Sequence, residues 1–149
     1  MSTYTQEVGE KLNGLLEKTY DAEKGYKKAS ENTDNKVLKD FFAKKSSQRY
    51  DFGYQLKNEI ASYGQKIENG GSITAATHRA WMDVKAFLTS DNEESMLEEA
   101  LRGEKAAIEE YKNVLAETAL PKSTSDILNQ QLSQIQLDLS KEKVMENIM

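Results

Sequence analysis

The sequence predicts an all-α fold: four long helices packed as a bundle, with one long crossover between the second and the third. Three observations carry this. Apolar residues recur at alternating spacings of three and four along four extended stretches. No stretch shows the period-two alternation of a half-buried strand. The breaks between the stretches are short, long and short in turn.

The first helix is expected from about Tyr4 to Ser30, with Val8, Leu12, Leu15, Thr19, Ala22, Tyr26 and Ala29 on its seam. Asn32-Thr33-Asp34-Asn35 is rich in turn and capping residues and ends it. The second helix is expected from Lys36 to Tyr63, its seam Leu38, Phe42, Lys45, Arg49, Phe52, Leu56, Glu59 and Tyr63, with Gly64 as its C-cap. Three of those seam positions are charged. Asn69-Gly70-Gly71-Ser72 reads as a loop, and a shorter helix is expected over Ile73–Leu88, carrying His78 and Trp81. The next long helix should cover Asn92–Ala119, on the seam Leu97, Leu101, Glu104, Ile108, Tyr111, Leu115 and Thr118. Pro121 closes it, Ser123 to Ser125 offers a cap, and the last helix is expected over Asp126–Asn147, with Leu128, Leu132, Ile135, Leu139, Met145 and Ile148 inward. The short breaks make the first and last helix pairs antiparallel, and the long one lets the chain cross the bundle's length, the connectivity of ferritin-like folds.

Composition narrows the function. The chain has 149 residues, the size of one domain, taken here as 1–149. It has no cysteine, which removes disulfide frameworks, thiol catalysis and Cys-ligated zinc or iron–sulfur sites. A net charge of −5 argues against nucleic acid as the main ligand. No apolar run approaches the roughly 20 residues that span a bilayer, and the N-terminus has no leader pattern; a cytoplasmic protein is expected.

Bundle enzymes of the di-iron type take one Glu from each of two helices and Glu-x-x-His from the other two. The lone histidine, His78, has Ala75 three residues before it, so Glu-x-x-His is absent. Counting about 16 residues, or ~24 Å, from turns near residues 33 and 121, taken to lie at the same end, brings Leu16, Arg49 and Glu104 to one level, with Asp138 close by. A partly buried Arg49–Glu104 ion pair is therefore expected where a metal protein would hold its ions, with Asp138 as a third member. The alternative is that both charges snorkel to water. A shallower Glu23–Lys45 pair is a further candidate, with an ordinary solvated contact as its alternative. Gly14, Gly53 and Gly103 fall near the same level, and either permit close approach or a small-ligand pocket, or simply face solvent. Tyr20, Tyr26, Tyr63 and Tyr111 read as core-edge residues.

Leu12-Asn13-Gly14-Leu15-Leu16, Asp21-Ala22-Glu23-Lys24-Gly25-Tyr26, Gln48-Arg49-Tyr50-Asp51-Phe52, His78-Arg79-Ala80-Trp81 and Arg102-Gly103-Glu104 followed by Tyr111 together resemble uncharacterised bacterial four-helix-bundle proteins, a domain family of unknown function in the ferritin-like superfamily. The resemblance covers nearly the whole chain and implies a ferritin-like bundle without an established activity. Against rubrerythrin-like relatives, the Glu-x-x-His slots of the second helix read Arg49 and Phe52, and Glu104 matches a carboxylate position whose partner is Ala107. The expected function is thus a non-enzymatic bundle lacking a di-iron site and any cofactor, an interaction or stress-associated protein that pairs through a helix face as a homodimer or with a protein partner. The alternative is a metal-binding or redox protein using carboxylates alone: Glu104, Asp138 and Glu23.

Overall fold

The computed structural model describes residues 3–65, 93–117 and 119–148. These form four α-helices: α1 Thr3–Asn32, α2 Lys36–Ser62, α3 Glu93–Glu117 and α4 Lys122–Ile148. No strand occurs among the described residues. The short helix expected over residues 73–88, with His78 and Trp81, and seam position Thr118 lie outside them.

Local chemistry sets the helix ends. Asn35 caps α2: its side-chain oxygen accepts from the backbone N–H groups of Val37 (2.9 Å) and Leu38 (3.2 Å). At the far end Gly64 takes φ 70°, the left-handed conformation that glycine adopts without cost. Its N–H donates to Ala61 O (2.9 Å) and that of Gln65 to Ile60 O (3.3 Å), which is a Schellman closure. The last helix begins four residues before the expected Asp126. Pro121 starts it rather than merely ending α3, because its carbonyl accepts from Ser125 N at 3.0 Å and its fixed φ suits a helix entry.

The seams bury as amphipathic helices must. Val8, Leu12, Leu15 and Leu16 of α1 meet Phe52, Leu56 and Ile60 of α2, Ile108, Tyr111 and Val114 of α3, and Leu128, Leu132 and Ile135 of α4. A second cluster joins Tyr26 and Ala29 to Leu38 and Phe42 and to Met96, Leu97 and Ala100, with Met145 against it. On α2 the apolar seam closes on Ile60, fully buried, whereas Glu59 and Tyr63 are only half-buried, since four residues on from Leu56 is 60.

These clusters fix the helix directions. The second contains the end of α1, the beginnings of α2 and α3, and the end of α4. At the opposite end, the Tyr63 hydroxyl lies 2.5 Å from the Thr124 hydroxyl, which donates to Glu59 Oε2 at 2.6 Å. So α2 and α3 run the same way, and Gln65 and Glu93 stand at opposite ends of the bundle. The α1–α2 and α3–α4 turns are also at opposite ends, not at the same end as the depth count assumed. The count still reached mid-bundle, because about 16 residues is more than half of each helix from either end.

Removing the α2 cap tests this account of the helix boundary. Asn35→Ala should lower the stability by about 1 kcal/mol, read from the midpoint of urea unfolding, because two amide N–H groups lose their acceptor.

Candidate functional site

Between the two apolar clusters lies a layer of charge. Buried positions on α2 carry Lys45 (2% exposed) and Arg49 (3%), on α3 Glu104 (1%), and on α4 Asp138 (5%) and Glu142 (0%). Glu104 is its centre. One carboxylate oxygen, Oε1, accepts from the Tyr26 hydroxyl at 2.5 Å and from Arg49 Nη2; the other, Oε2, accepts from Lys45 Nζ at 3.0 Å. Lys45 Nζ also donates to Asp138 Oδ2 at 3.2 Å and lies 3.7 Å from Glu142 Oε1. Gln48 ties the edge together, donating to Asp138 Oδ2 at 2.9 Å and accepting from Arg49 Nη1 at 3.0 Å.

Side-chain tilt brings these groups to one level. Every Cβ leans toward its own helix's N-terminus. Tyr26 stands six residues before the end of α1, level with Phe42, on which it stacks at 6.0 Å between ring centroids. Its side chain leans away from the turn, toward mid-bundle. Lys45 and Arg49 lie deeper on α2 but lean back toward the turn. They converge under the Tyr26 ring, with Lys45 Nζ 4.8 Å and the Arg49 guanidinium carbon 5.6 Å from its centroid. Phe41 and Phe52 complete the aromatic walls, near Lys45 and Arg49 respectively. Ring faces stabilise cations that have left water.

This tilt corrects the depth count on α1. Leu16, expected in the layer, belongs to the apolar cluster below it, and Tyr26 fills the place. Arg49 and Glu104, expected to pair, are brought together, and Asp138 joins them through Lys45 and Gln48. The Glu23–Lys45 contact does not form: Lys45 turns inward to Glu104, Asp138 and Glu142, and it is the backbone carbonyl of Glu23 that is used, by Ser46 Oγ at 2.9 Å. Tyr26, Lys45 and Glu142 were not foreseen as members. Glu142 carries a usable signal, since it sits one turn beyond Asp138.

The glycines divide. A Cβ on Gly53 would sit in ordinary contact with Tyr20, Leu16 and Thr19, 3.5–3.8 Å away, so this position supports close packing of α2 on α1. Gly14 and Gly103 face open space, with nothing within 4 Å of a Cβ placed there. A groove of about 550 Å³ lies instead between α2 and α4, lined by Ala43, Lys44, Ser47, Gln48, Asp51, Phe52 and Gln134.

Burial and charge act against each other here. Burial pushes the Glu104 carboxyl up, but Arg49 and Lys45 outweigh it and hold it below the usual range. Burial opposes the Arg49 charge, and Glu104 more than restores it. Burial, then the Glu104 charge, raise Tyr26 well above an ordinary phenol, so its hydroxyl keeps its proton and donates. Burial chiefly, with Glu104 next, pushes Glu142 up to about 8, against the pull of Lys45 and Arg49. A second buried polar contact lies nearer the other end: the Tyr111 hydroxyl donates to Gln131 Oε1 at 2.7 Å, and Gln131 Nε2 to Gln55 Oε1 at 2.9 Å.

As a metal centre the layer fits poorly. Iron of the di-iron type takes imidazole and carboxylate ligands, and no group of three or more His, Cys, Asp or Glu among the described residues is placed to hold a metal ion. The space that Glu104, Asp138 and Glu142 share is taken by the Lys45 ammonium.

Residues 7–117, well over half of the chain, match the model of a family described as a domain of unknown function, DUF2383, and the chain belongs to that family. No curated protein matches it. The matched span holds Tyr26, Lys45, Arg49 and Glu104, whereas Asp138 and Glu142 on α4 lie beyond it.

The donors around Glu104 set the order of mutational costs. Glu104→Ala removes the carboxylate paired with the buried Arg49 and leaves Lys45 to Asp138, and should cost roughly 3–5 kcal/mol. Arg49→Ala should cost less, because Lys45 still offsets Glu104. Tyr26→Phe, which removes one hydrogen bond to a charge, should cost about 1.5–3 kcal/mol. Arg49→Met with Glu104→Leu should recover much of the single-variant loss, since Lys45 keeps Asp138. Urea unfolding of the four variants checks this; strictly additive costs for Arg49 and Glu104 would show that the two charges do not interact.

Proposed function

We propose that this member of the DUF2383 family is a single ferritin-like bundle domain that carries an internal ion layer in place of a di-iron centre, and that it acts as a non-enzymatic interaction protein. One observation supports this above the rest. Two cationic side chains, Lys45 and Arg49, reach the middle of the bundle and engage the carboxylates that a metal would need. A metal ion brought there would meet their positive charges within ~4–6 Å, a separation at which like charges strongly disfavour one another. The parallel course of α2 and α3, with residues 66–92 joining opposite ends, supports the ferritin-like crossover.

No helix among the described residues is long and apolar enough to cross a membrane. For association the outer faces offer Tyr50 and Tyr54, one turn apart on α2 and each 60% exposed. Association through this face, with a second copy of the chain as the simplest partner, is part of the proposal.

Untagged protein from cells grown with excess iron tests the metal half. Metal analysis should give well below one iron or manganese per chain, unchanged in Glu104→Ala. Stoichiometric metal that is lost in that variant would overturn the proposal. Light scattering tests the association half: a dimer that Tyr50→Ser with Tyr54→Ser converts to monomer is the expected outcome.

A further inference from the structure

The mid-bundle layer holds three carboxyl groups and two cationic side chains, and the hydrogen bonds among them are unequally shared. Glu104 accepts from three donors: Tyr26, Arg49 and Lys45. Asp138 accepts from two, Lys45 and Gln48, both on Oδ2. Glu142 accepts from none: both its oxygens are buried without a hydrogen-bond partner, and the nearest cation, Lys45 Nζ, stands beyond hydrogen-bond range at 3.7 Å. Donors stabilise the ionised form of a carboxyl group, so the group without them is where a proton is held most easily. Charge balance points the same way. With all three carboxyls ionised, a dry layer would carry three negative charges against two positive; with a proton on Glu142 it balances.

We propose that Glu142 is a proton-binding switch: protonated, it lets the last turns of α4 lie closed on the bundle, and its deprotonation loosens that end of α4. Every helix contributes a group to its surroundings. Tyr26 faces it from α1, Lys45 and Arg49 from α2, Glu104 from α3, and Asp138 from one turn back on α4. Tyr26 keeps its proton throughout and adds no charge. The end of α4 that responds carries Met145, which packs on the cluster of Leu38, Phe42 and Leu97 three residues beyond Glu142. An ionised Glu142 gains most by reaching water, and the movement that takes it there withdraws Met145.

The direction with pH is fixed. The folded value, about 8, lies above the ordinary 4.5, so the folded chain holds the extra proton between them. Stability from this group is therefore full below about pH 4.5 and is lost as pH rises through about 8.

Carboxyl-carbon NMR of the full chain, assigned through bonds, reads the proton directly. Glu142 should titrate near pH 8, the methyl resonance of Met145 should move with the same midpoint, and Glu142→Gln should abolish that movement. The urea midpoint should fall between about pH 6 and pH 9 in the wild type, with Glu142→Gln the more stable protein at the upper pH. Titration of Glu142 with ordinary carboxyls below about pH 5 would overturn the proposal. So would a Met145 resonance that does not respond, or a midpoint near pH 8 that survives Glu142→Gln and disappears in Asp138→Asn, which would put the proton on Asp138. The wild-type titration decides the matter even if a variant fails to fold.

Discussion

The charge on Glu104 is the constraint around which the described bundle is arranged. A carboxylate 1% exposed has lost its water, and isolated it would cost far more than the whole stability of a domain of this size. It is tolerable only because α1 supplies a hydroxyl and α2 supplies two cations, each within bonding reach of a different lone pair. Those contacts hold only in one register. A slip of one helical turn, about 5.4 Å, would separate every donor from its acceptor while leaving much of the apolar packing available. Buried ion pairs add little net stability over an apolar core, and fixing register is their best-attested use. The layer sits between two apolar clusters, whose packing is less directional than its hydrogen bonds.

Aromatic walls make such a layer workable. Tyr26 presents its ring to both cations and its hydroxyl to the anion, so one residue of α1 serves both signs of charge. Phe52 backs the Arg49 guanidinium and belongs to the lower apolar cluster; Phe42 stacks on Tyr26 and belongs to the upper one. The transition from charge to hydrocarbon on either side is therefore made by rings, whose faces accept a cation and whose edges pack against aliphatic chains.

Much of this could be read from the chain because its signals are local. Helical periodicity and the Asn35 and Gly64 caps depend on residues a few positions apart, and they place three of the four helix starts within about a residue. The start of α4 was missed because Pro121 can end one helix or begin the next, and only the hydrogen bond to its carbonyl decides. Arg49 on the seam of α2 was legible as buried charge, since a periodic position tends to stay inward whatever occupies it; Lys45 on the same seam reads only as a shallower partner of Glu23, and Glu59 is only half-buried. The partners of these charges were less legible. Depth counted along the axis treats a side chain as lying at its own Cα, yet Tyr26 and Arg49 meet by leaning toward each other from levels some seven residues apart relative to the turn. Glu142 was passed over although it stands one turn beyond Asp138: in a helix as polar as α4, the apolar seam continues from Leu139 to Met145 and Ile148, and the glutamate between them reads as a solvated residue.

The last helix follows electrostatically from the other three. Taken alone, α1, α2 and α3 bring Lys45 and Arg49 to the middle against the single charge of Glu104, an excess of one positive charge in a space that excludes water. Asp138 removes that excess, and it does so through Lys45 and Gln48, two residues of α2 that reach α4 at this level. Docking of α4 is thus driven by more than Leu128, Leu132 and Ile135; a helix with the same apolar seam and no anion at position 138 would cover the layer and leave it unbalanced. The family match ends at residue 117, before α4, yet the part it covers already contains a charge that calls for an anion from outside it. Whatever packs on α2 at that level has to bring one, and α4 brings Asp138 together with a second carboxyl group that the balance can accommodate only in its neutral form.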